Sequence, residues 1–156
     1  MTIKLEKSAY YNIRAPQNFY SAMRRDVQLL LSHPAYTTCT TVVLCSIDAL
    51  SAGNGDTNEK KFKRFVSEHF PVLCTELEQH VPKTPGAKIL YERFRHGFAH
   101  LRGPKSGFAI GDNEELKGRY ASRVEIDGVG TFVAINAERL IKDFLELLDR
   151  IEKDAA

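Results

Sequence analysis

The stretch from Arg93 to His100 holds the side chains of this chain that are best suited to acid–base chemistry on an anion. It contains two arginines, Arg93 and Arg95, and two histidines, His96 and His100. An arginine guanidinium binds a phosphate through a planar fork of N–H donors. A histidine imidazole gains or loses a proton near neutral pH. These residue types, so close together, predict phosphodiester chemistry that does not require a metal ion.

The pattern Arg95-His96-x-x-x-His100 resembles the R-x4-6-H signature of HEPN domains, in which a polar residue usually follows the arginine. HEPN proteins are small helical bundles, often dimeric, and many of them are metal-independent endoribonucleases. The resemblance covers residues 17–101 and the last helix. It implies a symmetric homodimer with the motif at its centre and RNA as the substrate.

The resemblance also implies roles for individual residues. His100 is expected to act as general base, or as the acid for the leaving oxygen, and Arg95 to stabilise the charge that builds up on the phosphorane. His96 is expected to orient His100 or to contact the phosphate. The expected substrate-binding residues are Arg93, Arg102, Lys105 and Asp48. Neither a metal ion nor a cofactor is expected.

Asp48 is the only charged residue in the mostly apolar run from residue 36 to residue 50. A carboxylate on a buried helix is costly unless it is paired. HEPN-like domains often carry an acidic residue on an earlier helix that faces the motif, and Asp48 fits that description. The alternative is that Asp48 lies near the helix end and meets solvent or backbone donors.

Helical geometry separates Arg95 from His100. Successive residues of an α-helix turn by about 100°, so two residues five apart diverge by about 140°. Gly97 lies between them and can relax the backbone locally. Alternatively, two chains pair through this helix and each supplies part of a composite site.

Two other interpretations of the histidines remain open. His96 and His100 share one helix face at a spacing that metal ligands also use, although a zinc site needs three or four ligands and no H-E-x-x-H motif is present. The plain alternative is an exposed polar face, with Arg93 nearby, whose positive charges stabilise the end of the helix.

Charge is unevenly distributed along the chain. The net charge of +2 argues against a protein that coats nucleic acid by charge alone. Residues 88–105 nevertheless hold five basic residues against Glu92, a local charge of +4 with the histidines neutral. A second basic cluster consists of Lys60, Lys61, Lys63 and Arg64. Such a cluster is usually a solvated helix face, and the alternative is a contact with an RNA backbone.

The 156 residues are most simply one domain. Three cysteines without a C-x-x-C pair predict free buried thiols in a reducing compartment. No apolar run approaches the roughly 18 residues of a membrane span, so a cytoplasmic protein without membrane contact is expected.

The alternative to a nuclease is a non-catalytic HEPN-like module for dimerisation or for binding nucleotide or RNA. Its partner would be an antitoxin-like or defence-system protein.

The elements that position the motif are mostly helices. Apolar spacing predicts helices from Phe19 to the stop at His33-Pro34, from 36 to 50, from a cap at Asp56 to Phe70, and from Pro71 to about Val81. The motif helix starts near Ala87, and Asn136 caps a final amphipathic helix.

Two segments differ from this helical pattern. The pattern of residues 1–16 predicts an extended arm. That of residues 103–135 predicts a small antiparallel insert of two or three strands, built on a β-hairpin with its turn at Asp127-Gly128. The predicted fold class is therefore mainly α, a HEPN-like bundle of about five helices with a β-hairpin insert before the last helix.

Overall fold

The computed structural model describes residues 19–31, 36–52, 55–101 and 103–154. Its elements, in chain order, are α1 (Phe19–Leu31), α2 (Tyr36–Leu50), α3 (Asn58–His69), α4 (Pro71–His80), α5 (Gly86–Ile89), a π-helical segment (Leu90–Arg95), α6 (His96–Leu101), β1 (Phe108–Gly111), β2 (Ala121–Ile126), β3 (Gly130–Asn136) and α7 (Ala137–Asp154). This architecture confirms the predicted mainly helical class with a small sheet before the last helix. The predicted arm at 1–16 and the helix stop at His33-Pro34 lie outside the described residues.

Helix α2 occupies the centre of the bundle. It packs against α1, α3, α6, α7 and the π segment. Its buried residues are Cys39, Thr40, Val43, Leu44, Ser46 and Ile47. The predicted limits of this helix are confirmed, because a mostly apolar run of 15 residues is too long for a typical strand. Its position places Asp48, two residues before the helix end, beside the motif helix.

The predicted helix caps are right in one case and wrong in the other. Asn136 caps α7, since its Oδ1 accepts a hydrogen bond from the Arg139 amide at 3.0 Å. Helix α3 is capped by Thr57, whose Oγ1 accepts from the Lys60 amide at 3.4 Å, and not by Asp56. Asp56 instead pairs with Arg64. Both side chains can cap a helix, so sequence alone does not distinguish these neighbours.

The sheet is mixed, with strand order β1-β3-β2. Strands β2 and β3 form the predicted antiparallel hairpin, and Gly128 in its turn has a φ of +72°. Strand β1 pairs with β3 in parallel, with Phe108 opposite Val133. The prediction of a simple antiparallel hairpin is therefore wrong for the sheet as a whole.

The position of β1 has a tertiary cause. Residues 112–120 lead from β1 to the opposite edge of the sheet, and β3 then enters between the two earlier strands. The Phe108 ring packs edge-on against Phe94 with 5.5 Å between ring centroids, and this contact fixes β1 on the motif helix. On the opposite edge, the Glu76 carboxylate of α4 accepts hydrogen bonds from the Tyr120 and Ala121 amides at 2.7 and 2.8 Å.

The three cysteines are free thiols in different environments. Cys39 and Cys74 are buried, and burial raises the pKa of each thiol to about 11. Cys45 is exposed, so the prediction of buried thiols is wrong for this residue, because it lies on the outward face of α2. Within the described ranges, no helix combines the length and the apolar character needed to cross a membrane.

Candidate functional site

The motif helix is not a regular α-helix. The His96 amide donates a hydrogen bond to the Tyr91 carbonyl, five residues earlier, which defines the π-helical segment. In a regular α-helix these two residues would diverge by about 140°. Here their rings are in contact, with 5.2 Å between centroids. Short π-helical turns are rare and are found frequently at functional sites.

The segment that follows α6 packs directly on the irregular part of the helix. The Lys105 amide donates a hydrogen bond to the Arg93 carbonyl at 2.8 Å, so this carbonyl has a partner outside the helix. Gly97 makes the close approach possible, since a Cβ there would lie 2.4 Å from the Gly103 carbonyl oxygen. The irregular backbone thus precedes Gly97, and the glycine serves packing rather than the predicted local relaxation.

Asp48 and Arg95 form an ion pair between α2 and the motif helix. Arg95 Nη2 lies 2.5 Å from Asp48 Oδ2, and the two side chains are only 18% and 22% exposed. Asp48 therefore faces the motif and does not simply meet solvent at the helix end. Within the described part of the chain, Asp48 Oδ1 and Arg95 Nε are buried without a hydrogen-bond partner. The pair is oriented, but each group keeps one unused hydrogen-bonding atom.

Tyr91 connects the arginine to the histidines. The Arg95 guanidinium carbon lies 5.3 Å from the centroid of the Tyr91 ring, within the range of a cation–π contact. His96 contacts the same ring and is in turn 5.2 Å from His100, with the imidazoles at 74° to one another. His96 is half-buried, whereas His100 is exposed. Arg95 and His100 share no hydrogen bond or ring contact, so Tyr91 and His96 separate them.

We name these five residues the arginine–histidine row: Asp48, Arg95, Tyr91, His96 and His100. The other predicted site residues lie elsewhere. Arg93 is exposed and covers the Phe108 ring of β1 at 5.7 Å, on the opposite side of the helix from Tyr91. Lys105 is beside Arg93 through their backbone hydrogen bond, and Arg102 lies outside the described residues.

The sequence assigned no role to Tyr91 and considered only the basic cluster of α3, not the apolar face that packs on the motif helix. The Phe62 ring of α3 packs against Tyr91 at 5.3 Å, which supports the ring that carries both Arg95 and His96. Glu59, one turn earlier on α3, has a lowered pKa because Lys63 donates a hydrogen bond to it and because the charges of Lys88 and His96 act on it. The i→i+5 hydrogen bonding brings the Tyr91 and His96 rings together, and no sequence signal marks that bonding.

The row combines a phosphate-binding type of side chain with two imidazoles, one of them in solvent. Such a set can bind an anion and transfer a proton. Across the described residues, no three His, Cys, Asp or Glu side chains gather in a group that could hold a metal ion.

Comparison of the chain with family models, curated proteins and solved structures finds no match.

Proposed function

We propose that the chain is a HEPN-like, metal-independent endoribonuclease that cleaves RNA by attack of the 2′-hydroxyl, at a site shared by two copies of the chain. One observation carries the proposal: the π segment brings His96 onto the same tyrosine ring as Arg95. The imidazole pair and the guanidinium are therefore on one edge of the bundle. A regular α-helix would turn His96 about 140° away from Tyr91, off the ring that Arg95 also contacts.

In the proposed reaction, His100 takes the proton from the 2′-hydroxyl of the RNA. The O2′ atom then forms a bond to the adjacent phosphorus, and the bond from phosphorus to the 5′ oxygen breaks. An imidazolium, that of His100 in the second copy, gives its proton to the leaving oxygen. The products are a 2′,3′-cyclic phosphate and a 5′-hydroxyl end.

Arg95 supplies positive charge in this scheme. A guanidinium has five N–H donors, and Asp48 engages one nitrogen of the fork, so donors remain for the phosphorane oxygens. Asp48 acts as a positioning residue, because it fixes the plane of the fork. A second copy is part of the proposal because Arg95 and His100 of one chain are separated by two rings. Pairing across a twofold axis would bring Arg95 of one copy to His100 of the other.

The test is RNA cleavage in the presence of EDTA, with analysis of the product ends. Wild type is expected to cleave and to leave cyclic phosphate ends, and His100→Ala to lose at least about 100-fold in rate, the usual contribution of a general base. His80→Ala, which changes a histidine outside the row, is the control and should cleave at the wild-type rate. Equal cleavage by wild type and His100→Ala, or no cleavage of any RNA, would contradict the proposal.

The second candidate function is a non-catalytic HEPN-like module that dimerises or binds nucleotide or RNA, as part of a toxin–antitoxin or defence system. A specific observation favours it: Asp48 already neutralises Arg95, which weakens the attraction of this guanidinium for a phosphate. The two functions differ in their response to His100→Ala. A binding module keeps its RNA affinity and its dimer mass in this variant and shows no cleavage in either form.

A further inference from the structure

The outward face of the sheet carries an apolar cleft. The inward face packs on the main core through Phe108, Val133 and Ile135, so the alternate residues of each strand point the other way. The cleft on the outward face has a volume of about 450 Å³. Its apolar lining includes Ala109, Gly111, Leu116, Val124, Ile126 and Ala134. The sheet therefore has a second apolar surface, on the side away from the main core.

The shape of the cleft follows from the side chains on the outward face. Strands β1 and β3 contribute a low floor of alanine and glycine. Leu116 forms one wall, since a Cβ at Gly111 would lie 3.1 Å from the Leu116 Cδ1. Leu116 is 2% exposed, whereas Val124 of β2 is half-buried and Ile126 is 46% exposed. The turn at residues 112–118 thus covers one side of this face and leaves the β2 side open.

The charged residues in the lining of the cleft are both carboxylates, Glu115 and Glu125. Glu115 Oε2 lies 2.9 Å from the Cβ position of Gly111 and accepts a hydrogen bond from the Asp112 amide at 3.0 Å. Within the described ranges, no basic side chain lies at ion-pair distance from either glutamate. An occupant with apolar side chains and a cation would match this cleft.

The start of the chain, which lies outside the described residues, has this composition. Ile3, Leu5 and Lys7 alternate there with Lys4 and Glu6. Successive side chains of an extended segment point to opposite sides, so the three odd-numbered residues share one side. That side presents two large apolar side chains followed by a cation.

We propose that residues 3–7 of the same chain occupy the cleft as an extended segment. Their two apolar side chains would cover the alanine and glycine floor between Leu116 and Val124. Lys7 would then pair with the Glu115 carboxylate at the end of the cleft. This occupation of the sheet goes beyond the nuclease proposal and does not depend on it.

The chain between the proposed segment and α1 is long enough for this placement. Helix α1 contacts the end of α7 through Arg24, which lies 2.8 Å from Asp149 and 2.7 Å from Glu152. The sheet instead joins the start of α7 at Ala137. The 18 residues of α7 span about 27 Å. Residues 7–19 reach about 40 Å when extended, which exceeds the length of the helix.

The experiment is zero-length crosslinking of the full chain with a carbodiimide, followed by mass spectrometry of the digested monomer band. The reagent joins a lysine amine to a carboxylate only where the two groups meet. We expect a crosslink between Lys7 and Glu115. Lys4 is the internal control, because it lies on the opposite side of an extended segment and should form no crosslink with Glu115.

Two variants test the apolar contacts. Ile3→Ser/Leu5→Ser is expected to lower the yield of the Lys7–Glu115 crosslink at least about tenfold, because burial of two large apolar side chains is worth more than that factor. The matched control Lys4→Ser/Glu6→Ser changes the same number of residues on the opposite side of the segment. It should keep the wild-type yield.

Absence of the Lys7–Glu115 crosslink, or an equal yield from Lys4, overturns the proposal. An unchanged yield in Ile3→Ser/Leu5→Ser overturns it as well, since the cleft would then not hold the apolar side chains. A crosslink found only in covalent dimers assigns the segment to a second copy and overturns occupation by the same chain.

Discussion

Replacing Gly97 with alanine tests the packing that holds the irregular helix in place. The new Cβ would lie 2.4 Å from the Gly103 carbonyl oxygen and 3.0 Å from the Lys105 amide nitrogen. Both neighbours are backbone atoms, so no side-chain rotation relieves the contact. Residues 103–105 must move away from α6, and the hydrogen bond from the Lys105 amide to Arg93 weakens with that movement.

The expected magnitude follows from three contributions to the free energy of unfolding. Forced backbone movement at a packed position costs about 1–3 kcal/mol. Loss of the Lys105–Arg93 hydrogen bond adds about 0.5–1.5 kcal/mol. Alanine offsets about 0.5–1 kcal/mol, because it favours helix over glycine. Their ranges combine to a net destabilisation of about 0.5–4 kcal/mol, and the central value of about 2 kcal/mol lowers Tm by roughly 4–8 °C in a chain of this size.

The assay is thermal unfolding followed by circular dichroism, with Gly103→Ala as the control. A Cβ at Gly103 meets no atom within 4 Å, so this variant adds the same methyl group in open space. We expect Gly103→Ala to unfold within about 2 °C of wild type, as surface substitutions usually do. A Gly97→Ala variant as stable as wild type, or more stable, would refute the assigned packing between α6 and residues 103–105.

Three further predictions concern the row and the thiols. Asp48→Asn leaves the mostly buried Arg95 charge without a counter-charge, so urea unfolding should show a loss of about 1–3 kcal/mol, less than for a fully buried pair. Arg95→Gln should lower the free energy of unfolding by less in the Asp48→Asn variant than in wild type. Equal losses in the two backgrounds would exclude the pairing. With iodoacetamide at neutral pH, Cys45 should react in the native state, while Cys39 and Cys74 should react only after denaturation, as mass spectrometry can show. The pKa of both buried thiols is raised from 9.0 to about 11 in the folded state. Their contribution to the free energy of unfolding is therefore fully present below pH 9 and is lost as the pH rises to about 11. Unfolding series across this range should show the decline, and replacing both thiols with alanine should reduce its steepness.

Features with a local physical cause could be predicted from the sequence. The limits of α2 follow from a long apolar run, and the β2–β3 turn follows from Asp127-Gly128, where only glycine adopts positive φ at little cost. The Asn136 cap follows from its side-chain oxygen ahead of an amphipathic pattern. The direction of Asp48 toward the motif was an open alternative in the sequence, and its contact with Arg95 decides it.

Features decided by tertiary packing could not be predicted. Four residues of β1 carry no turn signal, and contacts of Phe108 with the motif helix place the strand in parallel beside β3. The Arg93 carbonyl in the π segment accepts a hydrogen bond from the Lys105 amide, a contact between separate segments that no local pattern reveals. Tyr91 had no expected role for the same reason, since regular helix geometry directs it away from His96.

The tie between Lys105 and Arg93 has a mechanical consequence. Strand β1 begins three residues after Lys105, and its Phe108 ring also carries Arg93 and Phe94. The sheet edge and the irregular helix are therefore joined by a backbone hydrogen bond and by ring contacts at the margin of the main core, so the two elements are expected to move together. A displacement of that edge strand would be transmitted to the tyrosine ring and so to the spacing between guanidinium and imidazole.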